Sequence, residues 1–194
     1  MVSAKVISRG FASLAFLFSC AAALAAPPAP AVKHGQPISE ADLAAWNIDI
    51  NAKTGAGLPV GRGTAVEGKK IYDAQCVVCH GADAKGGPMF GTMVGGIGSF
   101  TTGKPVLTPG SMYPYAPILY DYINRAMPLT NPQTLKPNEV YALTAYILHL
   151  NGLIGADEEM NEKSLAKVKM PNRDNFMVDN RPDTRAVRCM KDCK

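Results

Sequence analysis

The chain has few aromatic residues, 7% of 194, against 18 glycines and 15 prolines. That balance predicts a small, loop-rich fold whose core is completed by an apolar body other than its own side chains. A basic patch is lacking: the net charge is +4, and removing Lys5 and Arg9 with a cleaved leader takes it to +2. Nucleic acid is therefore not an expected partner. Internal repeats are absent. So is a second C-x-x-C at zinc-finger spacing or a thioredoxin-like strand-helix pattern, which weighs against a structural zinc site or a redox dithiol. Long apolar runs are missing too, since Phe11–Ala23 is short and is soon interrupted by Pro27 and Pro28.

With Lys5 and Arg9 before it and Ala23-Leu24-Ala25 after it, that run reads as a secretory signal over residues 1–25. Export to the periplasm is expected, with no transmembrane anchor once the signal is cleaved. Leu17-Phe18-Ser19-Cys20 loosely matches a lipobox, so lipoprotein anchoring at Cys20 is a minor alternative. Of five cysteines, four remain after cleavage behind Ala25. Two of these, Cys189 and Cys193, form a pair near the C-terminus, to be read as a local disulfide or as a thiol pair facing sulfur chemistry.

The other two stand in Cys76-Val77-Val78-Cys79-His80, a complete C-x-x-C-H signature for covalent haem attachment. Thiols at this spacing add across the haem vinyl groups, and the adjacent histidine is placed to bind iron. One such motif implies one haem c. For the second axial position Met127 is expected, between a helix end and Pro128, where the backbone is pinned and a weakly donating thioether raises the reduction potential. Met89, Met93 and Met112, each in a loop, are the alternatives. His149, near a helix C-terminus, suits a surface or core role, and His34 lies in the leader. If His80 ligates through one nitrogen, the other should donate to a carbonyl, for which Pro88 is the candidate.

Along the chain, Ala26 to Val32 is an alanine–proline linker, and Ser39-Glu40-Ala41-Asp42 predicts a short helix to about Trp46. Residues 55–63 read as a loop. Thr64-Ala65-Val66-Glu67 is a capping box that opens a helix running to about Cys76, with Gly68 and Tyr72 on one face. A loop region continues from His80 to about Leu107. Pro117 opens a helix that stops before Pro128, and Pro137 opens an amphipathic helix closing at Asn151-Gly152. Beyond Gly155 the chain is polar and aperiodic, predicting an arm on the domain surface or on a partner. The expected domains are a signal (1–25), a leader with a short helix (26–63), a monohaem domain (64–155) and an extended arm (156–194).

With the motif, Met127-Pro128 and the last helix in view, the chain resembles the class I cytochromes c. That resemblance implies an all-α fold in which first and last helices cross, with Gly68 and Tyr72 near Tyr146. Leu58-Pro59-Val60-Gly61, Gly110-Ser111-Met112-Tyr113-Pro114-Tyr115-Ala116, Asp121 through Pro128, Glu139-Val140-Tyr141-Ala142 and Met170-Pro171-Asn172-Arg173-Asp174 resemble the SoxD-type cytochrome subunit of sulfane or sulfite dehydrogenases. The resemblance implies an electron-transfer subunit, not catalytic alone, with Cys76, Cys79, His80 and Met127 binding haem and His80 and Met127 holding iron. Tyr113 and Tyr115 would contact the propionates. The implied partners are a molybdopterin subunit of the sulfite-oxidase family and a downstream cytochrome or oxidase. A free cytochrome shuttle is the alternative, and a haem enzyme or gas sensor with an open axial position is a third reading.

Overall fold

The computed structural model describes residues 35–44 and 46–180. The predicted signal with Cys20, the alanine–proline linker, His34, Cys189 and Cys193 lie outside these residues. The chain divides into two compact units between Ala45 and Trp46. The first contains α1 (Glu40–Ala44), whose start is capped as expected by Ser39 Oγ, accepting from the Asp42 amide at 3.1 Å. It stops short of Trp46, and none of its residues is buried.

The second unit is helical. The Thr64 capping box forms: Glu67 N donates to Thr64 Oγ1 at 3.4 Å and Thr64 N to Glu67 Oε2 at 2.8 Å, launching α2 (Ala65–Gln75). Next come α3 (Val77–His80), α4 (Pro109–Met112), α5 (Pro117–Ala126) and α6 (Pro137–Leu150). Prolines in the first turns of α4, α5 and α6 occupy sites where the missing N–H costs nothing. Two-residue strands β1 (Arg62–Gly63) and β2 (Met160–Asn161) pair antiparallel, Gly63 opposite Met160.

The core is built round α6. Val140 to Leu148 is buried without interruption, so this helix is central and not amphipathic as its sequence suggested. The reason is tertiary: α2, α5, β1 and β2 all pack against it. Where α2 crosses it, a Cβ on Gly68 would strike the Ala142 carbonyl and lie 2.8 Å from Tyr146 Cβ. Only glycine permits that approach. One turn on, Tyr72 and Tyr146 meet with their rings tilted at 56°, centroids 5.2 Å apart. On the α5 side Tyr120 tilts against Tyr141 at 4.5 Å, and Tyr141 Oη donates to the Pro59 carbonyl at 2.9 Å.

The segment after Gly155 corrects the expectation of a surface arm. Met160, Leu165, Val168 and Met170 are all in the buried core. Single apolar residues between charged ones carry no helical or strand period, yet each is inserted where β2 and the turn Leu165–Lys167 bring the chain back across the domain.

Leu165→Ala should therefore cost about 2–5 kcal/mol, the usual range for emptying a core leucine site. Gly68→Ala should cost about 1–3 kcal/mol through overpacking, despite alanine's better helix propensity. Urea denaturation reads both, and unchanged midpoints would contradict the packing described.

Candidate haem-binding site

The motif lies at a break between two helices. Cys76 caps α2, its amide donating to the Tyr72 carbonyl at 2.8 Å, and then serves as N-cap of α3, the single turn that carries Val77 to His80. Cys76 and Cys79 are both free, half-buried thiols. Burial, reinforced by Cys79, pushes the Cys76 thiol up to about 11. Redox dithiols depend on a lowered thiol pKa. Cys76 has the opposite character.

His80 closes the turn. Its ring stacks on Phe90, centroids 5.0 Å apart and 21° between planes. Burial lowers its pKa, which favours the neutral imidazole that ligates metals. Nδ1 is buried without a hydrogen-bond partner, so the expected bond to the Pro88 carbonyl is not formed. The loop folds back differently: Gly86 N donates to the His80 carbonyl at 3.0 Å and Gly87 N to the Phe90 carbonyl at 2.9 Å, leaving Pro88 outside this pairing. Glycines permit this return. Gly81 has φ +75°, a Cβ there would strike the Gly86 carbonyl, and one on Gly87 would lie 2.5 Å from the Cys79 carbonyl. Tyr72 Oη, donating to the Gly81 carbonyl at 2.8 Å, ties the turn to the α2–α6 crossing.

The methionines separate by position. Met89 is 62% exposed, with its sulfur 3.5 Å from Cys79 Sγ. Met93 is half-buried against the core, and Met112 is half-buried at the end of α4. Met127 caps α5 in an extended conformation, φ −120° and ψ 146°, with its amide donating to the Ile123 carbonyl at 3.0 Å. The Met127–Pro128 peptide is cis, and the half-buried side chain packs against the core. Cys76, Cys79, His80 and Met89 are thus brought together by one loop, while Met127 stands on a separate element with no hydrogen bond to the motif.

His149 is not a ligand candidate in this fold: its Nδ1 lies 3.2 Å from the Ile154 carbonyl at the end of α6. Tyr113 is half-buried, and burial raises its pKa. The face of Tyr115 is covered by the Arg173 guanidinium, 5.1 Å from the ring centroid.

Three buried polar residues that sequence reasoning passed over organise the loop between motif and α5. Asn151 Nδ2 donates to the Met93 carbonyl at 3.1 Å and to the Ile147 carbonyl at 2.9 Å, while its Oδ1 accepts from Gly95 N at 3.1 Å. Thr108 Oγ1 donates to the Gly95 carbonyl at 2.7 Å, and Ser111 Oγ to the Val106 carbonyl at 2.6 Å. Thr108-Pro109-Gly110-Ser111 is itself a capping box with serine replacing glutamate, the signal that was available for it. A groove of about 400 Å³ beside α2 and α6, lined by Arg62, Glu67, Lys70 and Glu139 among others, contains none of the motif residues.

Two free thiols, a neutral imidazole with an unpaired ring nitrogen and exposed apolar side chains such as Met89 fit a covalently tethered, flat apolar group better than a bare metal ion. Among the described residues no cluster of three or more histidine, cysteine or acidic side chains is placed to hold a metal ion alone.

The cytochrome c family profile matches residues 65–151. Among solved structures, the sulfane dehydrogenase SoxCD from Paracoccus pantotrophus is similar at 34% identity, covering 82% of this chain and 81% of that chain, with a TM-score of 0.71. The chain is a class I cytochrome c. Within that family it stands close to the SoxD-type subunit. Comparison with curated protein sequences finds no match. Family membership implies covalently bound haem c and an electron-transfer role. No helix of this cytochrome, among the described residues, is long and apolar enough to cross a membrane.

Asn151→Ala removes all three bonds and leaves the part-buried Met93 carbonyl and Gly95 amide without their partner. The expected loss is about 1–3 kcal/mol, with faster amide exchange at Gly95; unchanged exchange there would show that Asn151 does not hold the loop. In the haem-free chain, Cys76 should alkylate slowly near neutral pH, its rate climbing until about pH 11.

Proposed function

We propose that this cytochrome carries a single haem c in the periplasm, receiving electrons one at a time from a molybdenum-containing subunit of the sulfite-oxidase family that oxidises a sulfur compound. A downstream cytochrome or oxidase takes them on. The likeness to sulfane dehydrogenase carries this reading, because it spans 82% of the chain and so extends well beyond the cytochrome c profile at 65–151. A shared cytochrome core alone would have favoured a free shuttle. Shared flanking segments favour a shared assembly.

In this reading Cys76 and Cys79 would tether the haem through thioethers, and His80 and Met127 would hold its iron. The haem, when bound, supplies the one-electron couple. The chain's residues would set its surroundings: a Met127 ligand would close the iron to small ligands and favour the reduced state, and Phe90, stacked on it, orients the His80 ring. Met160 to Met170 serve the core, so the docking role expected of the arm narrows to the residues after Pro171, where Phe176, Met177 and Val178 are exposed.

The native protein, isolated with its neighbours, should contain molybdenum and show haem reduction on adding sulfite or thiosulfate, at one haem per chain by mass. A haem that stays oxidised with both, in a preparation free of molybdenum, would leave the free shuttle as the better reading. Carbon monoxide should fail to bind the reduced protein, since rapid binding would mean an open iron. Truncation after Asn175 should abolish co-purification while leaving the haem spectrum unaltered.

A further inference from the structure

Arg125 lies in the last turn of α5, two residues before Met127. Its Nε donates to Asp121 Oδ1 at 2.7 Å, one turn back on the same helix. Its Nη2 donates to the Ile48 carbonyl at 2.9 Å and to Asp49 Oδ1 at 3.1 Å. Those two bonds leave the helix altogether and grip a segment that precedes α2.

That segment is braced. Asn51 Oδ1 accepts from the amides of Lys53 and Thr54 at 3.1 and 3.0 Å, Asn51 N donates to the Ala56 carbonyl at 2.8 Å, and Gly55 N donates back to the Asn51 carbonyl at 2.7 Å. Ile50 and Leu58 pack against the core. On its other side the segment meets the inserted arm: a Cβ on Gly55 would lie 3.1 Å from Ala166 Cβ. Arg125 is thus anchored to a fixed body.

An exposed ion pair by itself would matter little, and the Arg125 side chain is 37% exposed. The difference here is the geometry. A planar guanidinium meeting acceptors on two elements fixes both the direction and the rotation of the helix end. Met127 leaves that end directly, its amide still bonded to Ile123 within the helix. A thioether is a weak donor, and a ligand must be held within about 0.5 Å of its working position.

We propose that Arg125 is a positioning residue for the Met127 sulfur, so that the segment before the cytochrome core, through this guanidinium, sets the strength of the methionine–iron bond. The inference rests on Met127 being the axial ligand. It assigns to residues 48–58 a task in the redox site, although they precede the family's cytochrome segment.

The test uses the full-length ferric holoprotein and reads the red charge-transfer band that marks a methionine sulfur on ferric haem, together with the reduction potential. Arg125→Gln should lose the band at a lower temperature and a lower pH than the parent and show a lower potential, and Arg125→Lys should restore part of both. A band and potential indistinguishable from the parent in Arg125→Gln would overturn the proposal, even if global stability fell. Met127→Ala separates the two layers: if the band survives that change, the ligand assignment itself is wrong; if it vanishes there but persists in Arg125→Gln, only the positioning role fails. Should Arg125→Gln not mature, Asp49→Ala decides, since it removes one surface bond; the band should then melt earlier than in the parent with the overall unfolding midpoint little changed, and an unaltered band would overturn the proposal.

Discussion

Backbone contact between α2 and α6 at Gly68 and Ala142 is the constraint on which the site depends. The absence of a side chain on Gly68 lets the helices approach until Tyr72 packs on Tyr146, and the Tyr72 hydroxyl then reaches the Gly81 carbonyl. A single helix crossing therefore sets where α2 ends, where the Cys76–His80 turn begins and how that turn closes. Cys76, at the end of α2, is partly buried against the same core, and that burial pushes its thiol pKa up.

Around that crossing the protein uses hydrogen bonds where a larger domain would use hydrophobic mass. The stretch from Met93 to Ser111 has little regular structure, and its backbone groups are met by buried side chains of Asn151, Thr108 and Ser111. Such satisfied polar networks specify one arrangement in a region where apolar contact alone would allow several.

The segments flanking the cytochrome core are part of its architecture. Residues 48–58 connect through Arg125 to the end of α5, while Met160, Leu165, Val168 and Met170 close the core from the other direction. The two meet at Gly55 and Ala166. An expectation that placed a domain limit near Gly155 treated the arm as an accessory, since scattered apolar residues among lysines and glutamates show no period. Their burial comes from a strand pairing with β1, nearly a hundred residues earlier in the chain.

The sequence by itself determined the starts of α1, α2, α5 and α6 and the C-x-x-C-H motif, because each depends on cues within a few residues: a Ser39 cap, a Thr64–Glu67 box, prolines in first turns, a fixed cysteine spacing; the crossing of α2 and α6 was implied by the family resemblance. Only the tertiary structure decided that α6 is buried on all sides, that the arm enters the core, that Asn151 holds the Met93–Gly95 loop and that the His80 ring stacks on Phe90 with its Nδ1 unpartnered. These outcomes depend on which distant surfaces meet. Local propensity acts over one or two turns, whereas burial and hydrogen-bond partnership are properties of pairs that the folded chain alone brings together.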